Sequence, residues 1–276
     1  LCPVRFFFER LTLLKPVEEV NETGDPAELG TLVHGVLKNF LTPYKGKFMD
    51  LAELPVKELQ DLFLGSLRES VFYRRMPYDM RLGVKRAGRE RLRRFLENQG
   101  PTTILELEKE YTREITVDRK KYRVQGRLDR VDKRDGEHCI LDYKTGPVAV
   151  PSKKIWDNAE LWERIKGREE NEDPELLSAV ATRLSSLQLP LYLFLYHQPP
   201  DRPASDAAQV ELRDKGEEIW LFGSKFEMDA REAVITEKTP LLLRFLIQHM
   251  LGSDAFHPRP GKHCDWCPFG FACASG

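Results

Sequence analysis

The sequence predicts an α/β fold in which a helical N-terminal elaboration precedes a sheet-containing core, with a cysteine-ligated metal site near the C-terminal end. Apolar residues at helical spacing dominate residues 27–100. Alternating segments rich in β-branched residues follow, namely "YTREITV", "YRVQGRLDRVDK" and "HCILDYKTG". Three cysteines then stand close together in "CDWCPFGFAC". We therefore expect one domain over residues 1–276, with the core at 105–225 and a final helix and cysteine tail at 229–276.

Composition excludes several classes of protein. The chain of 276 residues is 41% hydrophobic, which is enough for a packed core. It contains no long apolar run and no secretion signal, so we expect a cytoplasmic protein without a membrane span. Because the sequence starts without Met, we also expect a fragment, namely the C-terminal domain of a longer protein. The net charge of −1 gives no information about an anionic partner.

The predicted helices of the first third are defined by their end signals. A first helix begins near Pro26, since proline is favoured in a first helical turn. Further helices are expected over 56–73 and 80–98, and Gly100-Pro101 ends the last of them. We expect this third of the chain to be mostly helical.

Charge is distributed unevenly along these helices. Between Arg68 and Arg94 there are ten Lys or Arg residues and three acids. Two interpretations stay open, a solvated helix face or a surface that contacts phosphates. For the second interpretation, the candidate side chains are Arg86, Arg89, Arg93 and, on a later strand, Arg127.

The rest of the chain alternates between strands and helices. An Asp135-Gly136 turn joins the last two of the three strands named above. The charged segment 162–175 is expected to be a surface insertion or loop. A helix over 175–198, bent at Pro190, precedes a second strand pair in "AAQVELR" and "EEIWLFGSKFEM". The last helix is expected to break near Pro240.

The Asp135-Gly136 turn predicts a register for the two strands that it joins. If the loop has two residues, Asp129 lies directly opposite Asp142. Two carboxylates about 5 Å apart repel each other unless a cation sits between them. Lys144 projects from the same face as Asp142, because it lies two residues farther along the strand. The hairpin therefore predicts a site for a Mg²⁺-like ion beside a lysine; the alternatives are an ordinary surface hairpin or a one-residue slip in register.

With two further motifs, this hairpin resembles a known family. "GRLDRVD" followed by "LDYKTG" is similar to the core of the PD-(D/E)xK nuclease superfamily, in the version found in RecB-like nucleases. "GTLVHGVL" carries His34 on an early helix, as that group does, and "QLPLY" supplies Gln188 and Tyr192 one helical turn apart. The four motifs occur in the family's order over residues 30–192. The resemblance implies a restriction-endonuclease-like core, that is, a mixed sheet flanked by helices.

The resemblance also implies roles for individual residues. The groups implied to bind Mg²⁺ or Mn²⁺ are the side chains of His34, Asp129 and Asp142 and the backbone carbonyl of Tyr143. The residues implied to act in or support the reaction are Asp129, Asp142, the catalytic lysine Lys144, Gln188 and Tyr192. The family also has an acidic residue on the preceding strand, for which Glu108, Glu110 and Glu114 compete. Taken alone, His34 is more typical of a partly buried helix histidine than of a metal ligand. Gln188 and Tyr192 are equally typical of an ordinary amphipathic helix.

The cysteines form a second candidate site. Cys264 and Cys267 form a CxxC pair, and Cys273 follows after a Pro- and Gly-containing bend. A four-thiolate site needs one more ligand, for which Cys2 is the first candidate. An odd cysteine count with CxxC spacing and no secretion signal favours thiolate ligands in an intracellular protein. The remaining residues that compete for the fourth position are Cys139 and His263.

A site of Cys2, Cys264, Cys267 and Cys273 resembles the iron–sulfur staple of AddB-type nuclease domains and of some CRISPR-associated nucleases. The resemblance favours a [4Fe-4S] cluster, whereas four thiolates also suit Zn²⁺. The role that it implies is structural, because such a site joins the two ends of the chain.

For function, the resemblance implies hydrolysis of DNA phosphodiester bonds with Mg²⁺ or Mn²⁺. AddB-type domains belong to helicase-like subunits, so it further implies exonucleolytic processing of DNA ends in recombinational repair, within a larger helicase–nuclease chain or complex. The expected partner is DNA, as a single strand or as duplex ends, with Arg86, Arg89, Arg93 and Arg127 among its contacts. The alternatives are a CRISPR-associated nuclease that trims DNA before spacer capture, and a non-catalytic nuclease-like DNA-binding module.

Overall fold

The computed structural model describes residues 2–12, 14, 26–167, 174–252, 255–258 and 260–273. The chain divides into two compact units. The larger unit, residues 22–247, contains the whole of the sheet described below. The smaller unit is formed by residues 1–21 together with residues 248–276, and it contains four of the five cysteines.

A six-stranded mixed sheet forms the centre of the larger unit. The strands lie side by side in chain order, and neighbours are antiparallel except for the fourth and fifth, which are parallel. A parallel pair requires a long crossover connection, and the described helices between residues 145 and 203 belong to it. The strands are β1 (Phe48–Asp50), β2 (Pro101–Val117), β3 (Lys120–Arg134), β4 (Glu137–Lys144), β5 (Ala204–Glu211) and β6 (Glu218–Trp220).

Helices precede the sheet in the chain, fill the crossover and follow the last strand. Among the helices that the structure describes, none has both the length and the apolar character that a membrane span requires. The helices are α1 (Pro3–Phe6), α2 (Pro26–Leu41), α3 (Val56–Glu69), α4 (Val71–Arg75), α5 (Tyr78–Glu97), α6 (Lys153–Trp156), α7 (Ala159–Lys166), α8 (Pro174–Arg183), α9 (Gln188–Tyr196), α10 (Met228–Ala233) and α11 (Thr239–Gly252).

The two faces of the sheet pack into different hydrophobic clusters. On β4, Ile140 joins a cluster with buried residues of α6 to α9. Its neighbour Leu141 joins a second cluster with α2, α3 and α5, as does Tyr143. Successive side chains of a strand point to opposite faces. Asp142 therefore lies on the same side of β4 as Ile140, the side that α9 covers.

The helical predictions hold with two corrections. The helix predicted over 56–73 is divided at Ser70, where an extended backbone separates α3 from α4. The helix predicted over 175–198 is likewise two helices, α8 and α9. Pro190 does not bend a continuous helix; it lies in the first turn of α9, where its missing N–H leaves no hydrogen bond unmade.

The charged segment 162–175 was expected to be an insertion or loop, and its first part is instead helical. Leu161, Trp162 and Ile165 are buried on one side of α7, and this apolar face explains the helix. Residues 168–173 lie outside the described part of the chain.

The end of the larger unit also differs from expectation. The second strand of the predicted pair is short, because only Glu218–Trp220 pair with β5 before a 3₁₀ turn begins at Gly223. The last helix does not break at Pro240. A π-helical stretch, Val234–Lys238, leads directly into α11, and Pro240 occupies the first turn of that helix.

Aromatic side chains hold the two ends of the chain together within the smaller unit. The ring centroids of Phe6 and Phe7 lie 6.4 and 5.3 Å from that of Phe256. Phe8 contacts Phe269, which is buried, with a centroid distance of 5.4 Å. The "RFFF" segment near the start of the chain therefore packs on the segment that carries the cysteine motif.

Candidate active site

The β3–β4 hairpin has the register that its turn predicts. Asp135 and Gly136 both adopt positive φ, as a two-residue type I′ loop requires. Val131 pairs with Ile140, and the ladder extends to Arg130 and Leu141. The next position along the two strands brings Asp129 beside the segment that carries Asp142.

Asp129 and His34 are fixed by the backbone of β4. The Tyr143 amide donates to Oδ2 of Asp129 at 2.8 Å. The Tyr143 carbonyl accepts from Nε2 of His34 at 3.1 Å, so the other imidazole nitrogen, Nδ1, faces the carboxylates. Nδ1 lies 3.4 Å from Oδ1 of Asp129 and 3.6 Å from Oε1 of Glu108. The Tyr143 carbonyl, which the resemblance implied as a metal ligand, thus accepts a hydrogen bond from the His34 ring.

Glu108 is the acidic residue of β2 that reaches this position. Its neighbours Leu107 and Lys109 pair with Arg130 and Leu128, so Glu108 lies across from Asp129. Its φ of 48° is unusual for a non-glycine residue in a strand and turns the side chain into the site. Only 8% of the side chain is exposed.

The two competing glutamates are placed differently. Glu110 is opposite Arg127 in the ladder. Glu114 is 62% exposed and forms an ion pair with Lys121 at 2.9 Å. The sequence alone left the three glutamates equivalent, and the register of β2 against β3 distinguishes Glu108.

Asp142 and Lys144 form an ion pair that the amide of Gln188 spans. Lys144 Nζ lies 2.7 Å from Oδ2 of Asp142 and donates to Oε1 of Gln188 at 2.7 Å. The Gln188 nitrogen donates to Oδ1 of Asp142 and to the Tyr192 hydroxyl, both at 2.8 Å. Because α9 presents Gln188 and Tyr192 one turn apart, both reach the same edge of the site.

Burial and mutual repulsion shift the pKa values of the acidic site. Burial, followed by the charge of Asp129, raises the pKa of Asp142 to about 6. Burial by itself lowers the pKa of His34, but the hydrogen bond and charge of Asp129 and the charges of Glu108 and Asp142 outweigh it, and the net shift is upward. Raised pKa values show that the negative charges of the site are not fully compensated by the protein. A bound cation would compensate them.

The donor set fits a hard divalent cation. Ligand atoms of His34, Glu108 and Asp129 lie within 4.8 Å of one another, and among the described residues no other set of three or more His, Cys, Asp or Glu does so. Oε1 of Glu108 is buried and has no hydrogen-bond partner in the described part of the chain. Carboxylate oxygens with an imidazole nitrogen are ligands typical of Mg²⁺ or Mn²⁺. Asp142 is not in this closest set, but its charge interacts with those of His34 and Asp129.

Two glycines allow the helices to approach the site. A Cβ atom on Gly126 of β3 would lie 2.8 Å from Leu195 and 3.2 Å from Tyr192, so glycine permits close contact with α9. A Cβ atom on Gly30 of α2 would lie 3.2 Å from Oγ1 of Thr145. Thr145, the residue that follows β4, thus occupies the space beside Gly30.

A buried charged network supports β4 from the opposite face. The Arg130 side chain is fully buried and donates from Nε and Nη2 to the two carboxylate oxygens of Asp132, each at 2.8 Å. It also donates to the Tyr143 hydroxyl at 3.2 Å and to Gln99 at 2.9 Å. Sequence reasoning missed this network. The spacing in "DRVD" contained the signal, since Arg130 and Asp132 alternate with Asp129 and must face away from it.

The four arginines proposed as phosphate contacts have different surroundings. Arg86 is exposed on α5, and Arg89 hydrogen-bonds to Gln60 of α3 at 3.3 Å. Arg93 is paired with Glu90 and Glu97. Arg127 lies at the site itself, with Nε 2.7 Å from Oε2 of Glu108.

The four cysteines of the predicted staple belong to the same compact unit. Cys2 is buried, Cys264 is exposed, and Cys267 and Cys273 are half-buried. The Gly261 amide lies 3.4 Å from the sulfur of Cys264, an N–H···S contact. No three of these sulfurs lie within 4.8 Å of one another. Cys139, a competitor for the fourth ligand position, is instead buried in the larger unit, with its sulfur 3.8 Å from the Ser205 hydroxyl.

Comparison with known proteins identifies one family. A family model described as the PD-(D/E)XK nuclease superfamily matches residues 1–274. A solved structure described as the crystal structure of SSO0001 is 18% identical, with a TM-score of 0.34, over 90% of this chain and 97% of that chain. That TM-score is too low to support an inference. No curated protein matches the chain.

Proposed function

Because the chain belongs to the PD-(D/E)XK nuclease superfamily, we propose that it is a deoxyribonuclease that hydrolyses phosphodiester bonds with Mg²⁺ or Mn²⁺. The observation that carries the proposal is the convergence of His34, Glu108 and Asp129 beside the Asp142–Lys144 ion pair. Divalent metals are used across this superfamily, and the acidic donor set here suits one.

The residues of the site have separate tasks in this proposal. A divalent cation bound among carboxylates lowers the pKa of a coordinated water and offsets phosphate charge. Glu108 and Asp129 would supply oxygen ligands to such a cation, and His34 would supply Nδ1. Asp142, the second carboxylate of the hairpin, completes the oxygen-rich side and holds the lysine. Gln188 and Tyr192 orient this pair.

Lys144 is the group placed to act on the substrate. Its ammonium group has three N–H donors, and Asp142 and Gln188 lie within 2.7 Å of it. Because these two partners use two of the three donors, one N–H is left for the substrate. It can stabilise the negative charge that develops on a phosphoryl oxygen, or orient the attacking water. Arg127 pairs with Glu108 at the edge of the site, and 54% of its side chain is exposed to solvent. This position suits a contact with a phosphate of the substrate.

The biological setting is proposed from the RecB-like motifs and the cysteine pattern. A nuclease domain of AddB type would degrade a DNA strand exonucleolytically from its end during recombinational repair, within a larger helicase–nuclease chain or complex. A CRISPR-associated nuclease that trims DNA before spacer capture is the second candidate, because it shares the same cysteine arrangement. The Asp129–Asp142–Lys144 set argues against a module that only binds DNA.

We also propose that Cys2, Cys264, Cys267 and Cys273 hold a [4Fe-4S] cluster in a cytoplasmic setting, where thiolates stay reduced. What favours a cluster over a single zinc ion is the arrangement of one N-terminal and three C-terminal cysteines, which resembles that of AddB-type domains, since four thiolates by themselves suit either. Protein purified without oxygen should contain about four iron atoms per chain and absorb broadly in the visible range. Colourless, zinc-loaded protein would contradict the cluster and show that the cysteines bind Zn²⁺.

Cleavage assays test the central proposal. The full chain, purified anaerobically, is incubated with end-labelled linear DNA and with circular single-stranded DNA in EDTA, Mg²⁺ or Mn²⁺. The proposal predicts cleavage of linear DNA with either metal, none in EDTA, and intact circles. Cleavage in EDTA contradicts metal dependence, and cutting of circles contradicts exonuclease action. Folded protein that binds DNA without cutting it in any metal favours the binding module.

A further inference from the structure

The basic helix α5 divides into two electrostatically different halves. Toward its C-terminal end, Arg93 lies 2.6 Å from Glu90 and 2.5 Å from Glu97, and Arg94 lies 2.8 Å from Glu90. Hydrogen bonds from Arg93 and Arg94 lower the pKa of Glu90 to about 2. Arg93 and Arg94 are therefore already matched by carboxylates, which makes Arg93 less suited to contact phosphates than the sequence suggested.

The other half, with the short helix before it, forms a cluster of cations that we name the α4–α5 corner, residues 71–86. Within the part of the chain that the structure describes, none of its cations forms an ion pair with a carboxylate. The cations of the corner are Arg74, Arg75, Arg81, Lys85 and Arg86.

Specific contacts hold this cluster in place despite its repulsion. The Arg81 guanidinium donates to the backbone carbonyls of Met76 and Arg74, which end α4. Arg81 and Lys85 both lie over the ring of Tyr73, 5.8 and 5.5 Å from its centroid. The corner carries five cations and one acid, Asp79, so its local potential is positive, and a polyanion relieves the repulsion among the cations.

Exposed apolar side chains accompany the cations. Tyr78 is 74% exposed at the start of α5, and Leu82 follows one turn later at 46%. Val71, at the start of α4, is 51% exposed. An exposed aromatic ring among unpaired cations is the combination that binds single-stranded nucleic acid, because a base stacks on the ring while cations contact phosphates.

We infer that the α4–α5 corner binds a single strand of DNA, with Tyr78 stacking on a base and Arg74, Arg75, Lys85 and Arg86 contacting phosphates. The inference rests on the proposed function and deepens it, because it assigns a remote subsite to the strand being degraded. Stacking requires an unpaired base, which is why a single strand fits better than a duplex.

The length of α5 gives an approximate distance from this subsite to β4, the strand that carries Asp142 and Lys144. Phe95, near the far end of the helix, contacts the ring of Tyr143 on β4 at 5.7 Å. Tyr78 lies about 26 Å from Phe95 along the helix axis, at 1.5 Å per residue. At the 3.4 Å rise of a stacked strand that distance corresponds to about eight nucleotides, and an extended single strand covers it with fewer. Strands much shorter than this should not reach both places.

The test compares Tyr78→Ala, Arg75→Ala and Arg86→Ala with the matched control Arg93→Ala in the full chain. Each arginine variant removes one charge from the same region, but only the control removes a charge already paired with carboxylates. Binding of a 16-nucleotide single strand is measured in EDTA at several salt concentrations. We expect each corner arginine variant to reduce the slope of log Kd against log salt by about 0.7, and Arg93→Ala to leave it unchanged.

Tyr78→Ala should weaken binding of the single strand about tenfold, whereas Tyr78→Phe should retain it. With Mg²⁺, the corner variants should lower kcat/KM about tenfold on the 16-nucleotide strand and leave that for a four-nucleotide strand unchanged. Circular dichroism confirms that each variant folds.

The outcomes separate this inference from the nuclease proposal. If the wild type cuts DNA but the corner variants behave like Arg93→Ala, the corner is not a DNA subsite. If the wild type does not cut DNA but the corner variants lower the salt slope, the nuclease proposal fails and the subsite stands. Equal binding of duplex and single strand, with no effect of Tyr78→Ala, overturns the single-strand assignment.

Discussion

The Nζ atom of Lys144 lies 2.7 Å from Oδ2 of Asp142, two residues away on the same face of β4. The amide of Gln188 contacts both side chains, accepting from the ammonium and donating to the carboxylate. One residue of α9 thus sets the orientation of the pair on β4 on which the proposed reaction depends.

Replacing Gln188 with Ala should therefore lower kcat for DNA cleavage about 10- to 100-fold, the usual cost of losing such an orienting partner. KM should change little, because in this account the Gln188 amide orients Asp142 and Lys144 and does not bind the substrate. The control is Tyr192→Phe, which removes a hydroxyl that accepts from the same amide but leaves the bridge itself intact. Equal losses in the two variants would contradict the orienting role of Gln188.

Glu108 should be needed for metal binding. Its buried Oε1 faces His34 and lacks a hydrogen-bond partner in the described part of the chain. Glu108→Gln should weaken Mn²⁺ binding about 10- to 100-fold in a calorimetric titration. Glu110→Gln, on the same strand, is the matched control and should bind Mn²⁺ like the wild type. If both variants bind normally, Glu108 is not a ligand.

The metal-free protein should lose stability as pH rises. The pKa of Asp142 is raised to about 6, so between about pH 4 and 6 the folded chain binds more protons than the unfolded chain. The free energy of unfolding should then decrease through this range, by up to roughly 3 kcal/mol for a shift of about two units. His34 acts in the same direction at higher pH, because its raised pKa gives a stabilisation that is lost as pH rises through that value.

Urea denaturation in EDTA from pH 4.5 to 8 measures this decrease. Asp142→Asn should flatten the part of the profile below about pH 6.5, and saturating Mn²⁺ should reverse the trend, since metal binding competes with protons. Parallel profiles for the wild type and Asp142→Asn would show that Asp142 titrates normally.

The Arg130–Asp132 pair should be a strong determinant of stability. Removing Asp132 leaves the fully buried Arg130 without a carboxylate, so Asp132→Leu should lower the free energy of unfolding by about 3–5 kcal/mol. Arg130→Met should cost less, because Arg134 still lies 3.0 Å from Asp132. The double variant Arg130→Met/Asp132→Leu should lose much less, because no charge stays buried alone. Urea denaturation at pH 7 measures all three. A double variant as unstable as Asp132→Leu would contradict this account.

The hairpin register could be predicted from the sequence because a two-residue Asp-Gly loop favours one pairing of its strands. Residue pairs such as Val131 and Ile140 follow directly from it. The choice of Glu108 could not be predicted in this way. It depends on a left-handed residue within β2 and on a register shift near Leu105, and the alternation in "ILELEKEY" does not predict either.

The ion-pair partners of the basic residues could be predicted from the sequence only in part. Glu90 and Glu97 stand three residues before and four residues after Arg93, a spacing that pairs charges on a helix. The network of Arg130 and Asp132 could not be derived with the same certainty, because full burial of a charge depends on which helices cover the sheet. The sequence did not predict that two of the helices are divided, one at Ser70 and one just before α9, because the helical spacing of apolar residues continues across both points.

Cleavage of a linear single strand by Lys144→Ala, with Mn²⁺ and beside the wild type and Lys144→Arg, tests the central claim most directly. The account predicts that Lys144→Ala lowers kcat about 100- to 1,000-fold, as expected when a group that stabilises transition-state charge is removed. DNA binding in EDTA should stay within about twofold, since most affinity comes from other phosphate contacts, and Lys144→Arg should recover part of the activity. Unchanged cleavage by Lys144→Ala would contradict the assignment of the Asp129–Asp142–Lys144 hairpin as the reaction centre.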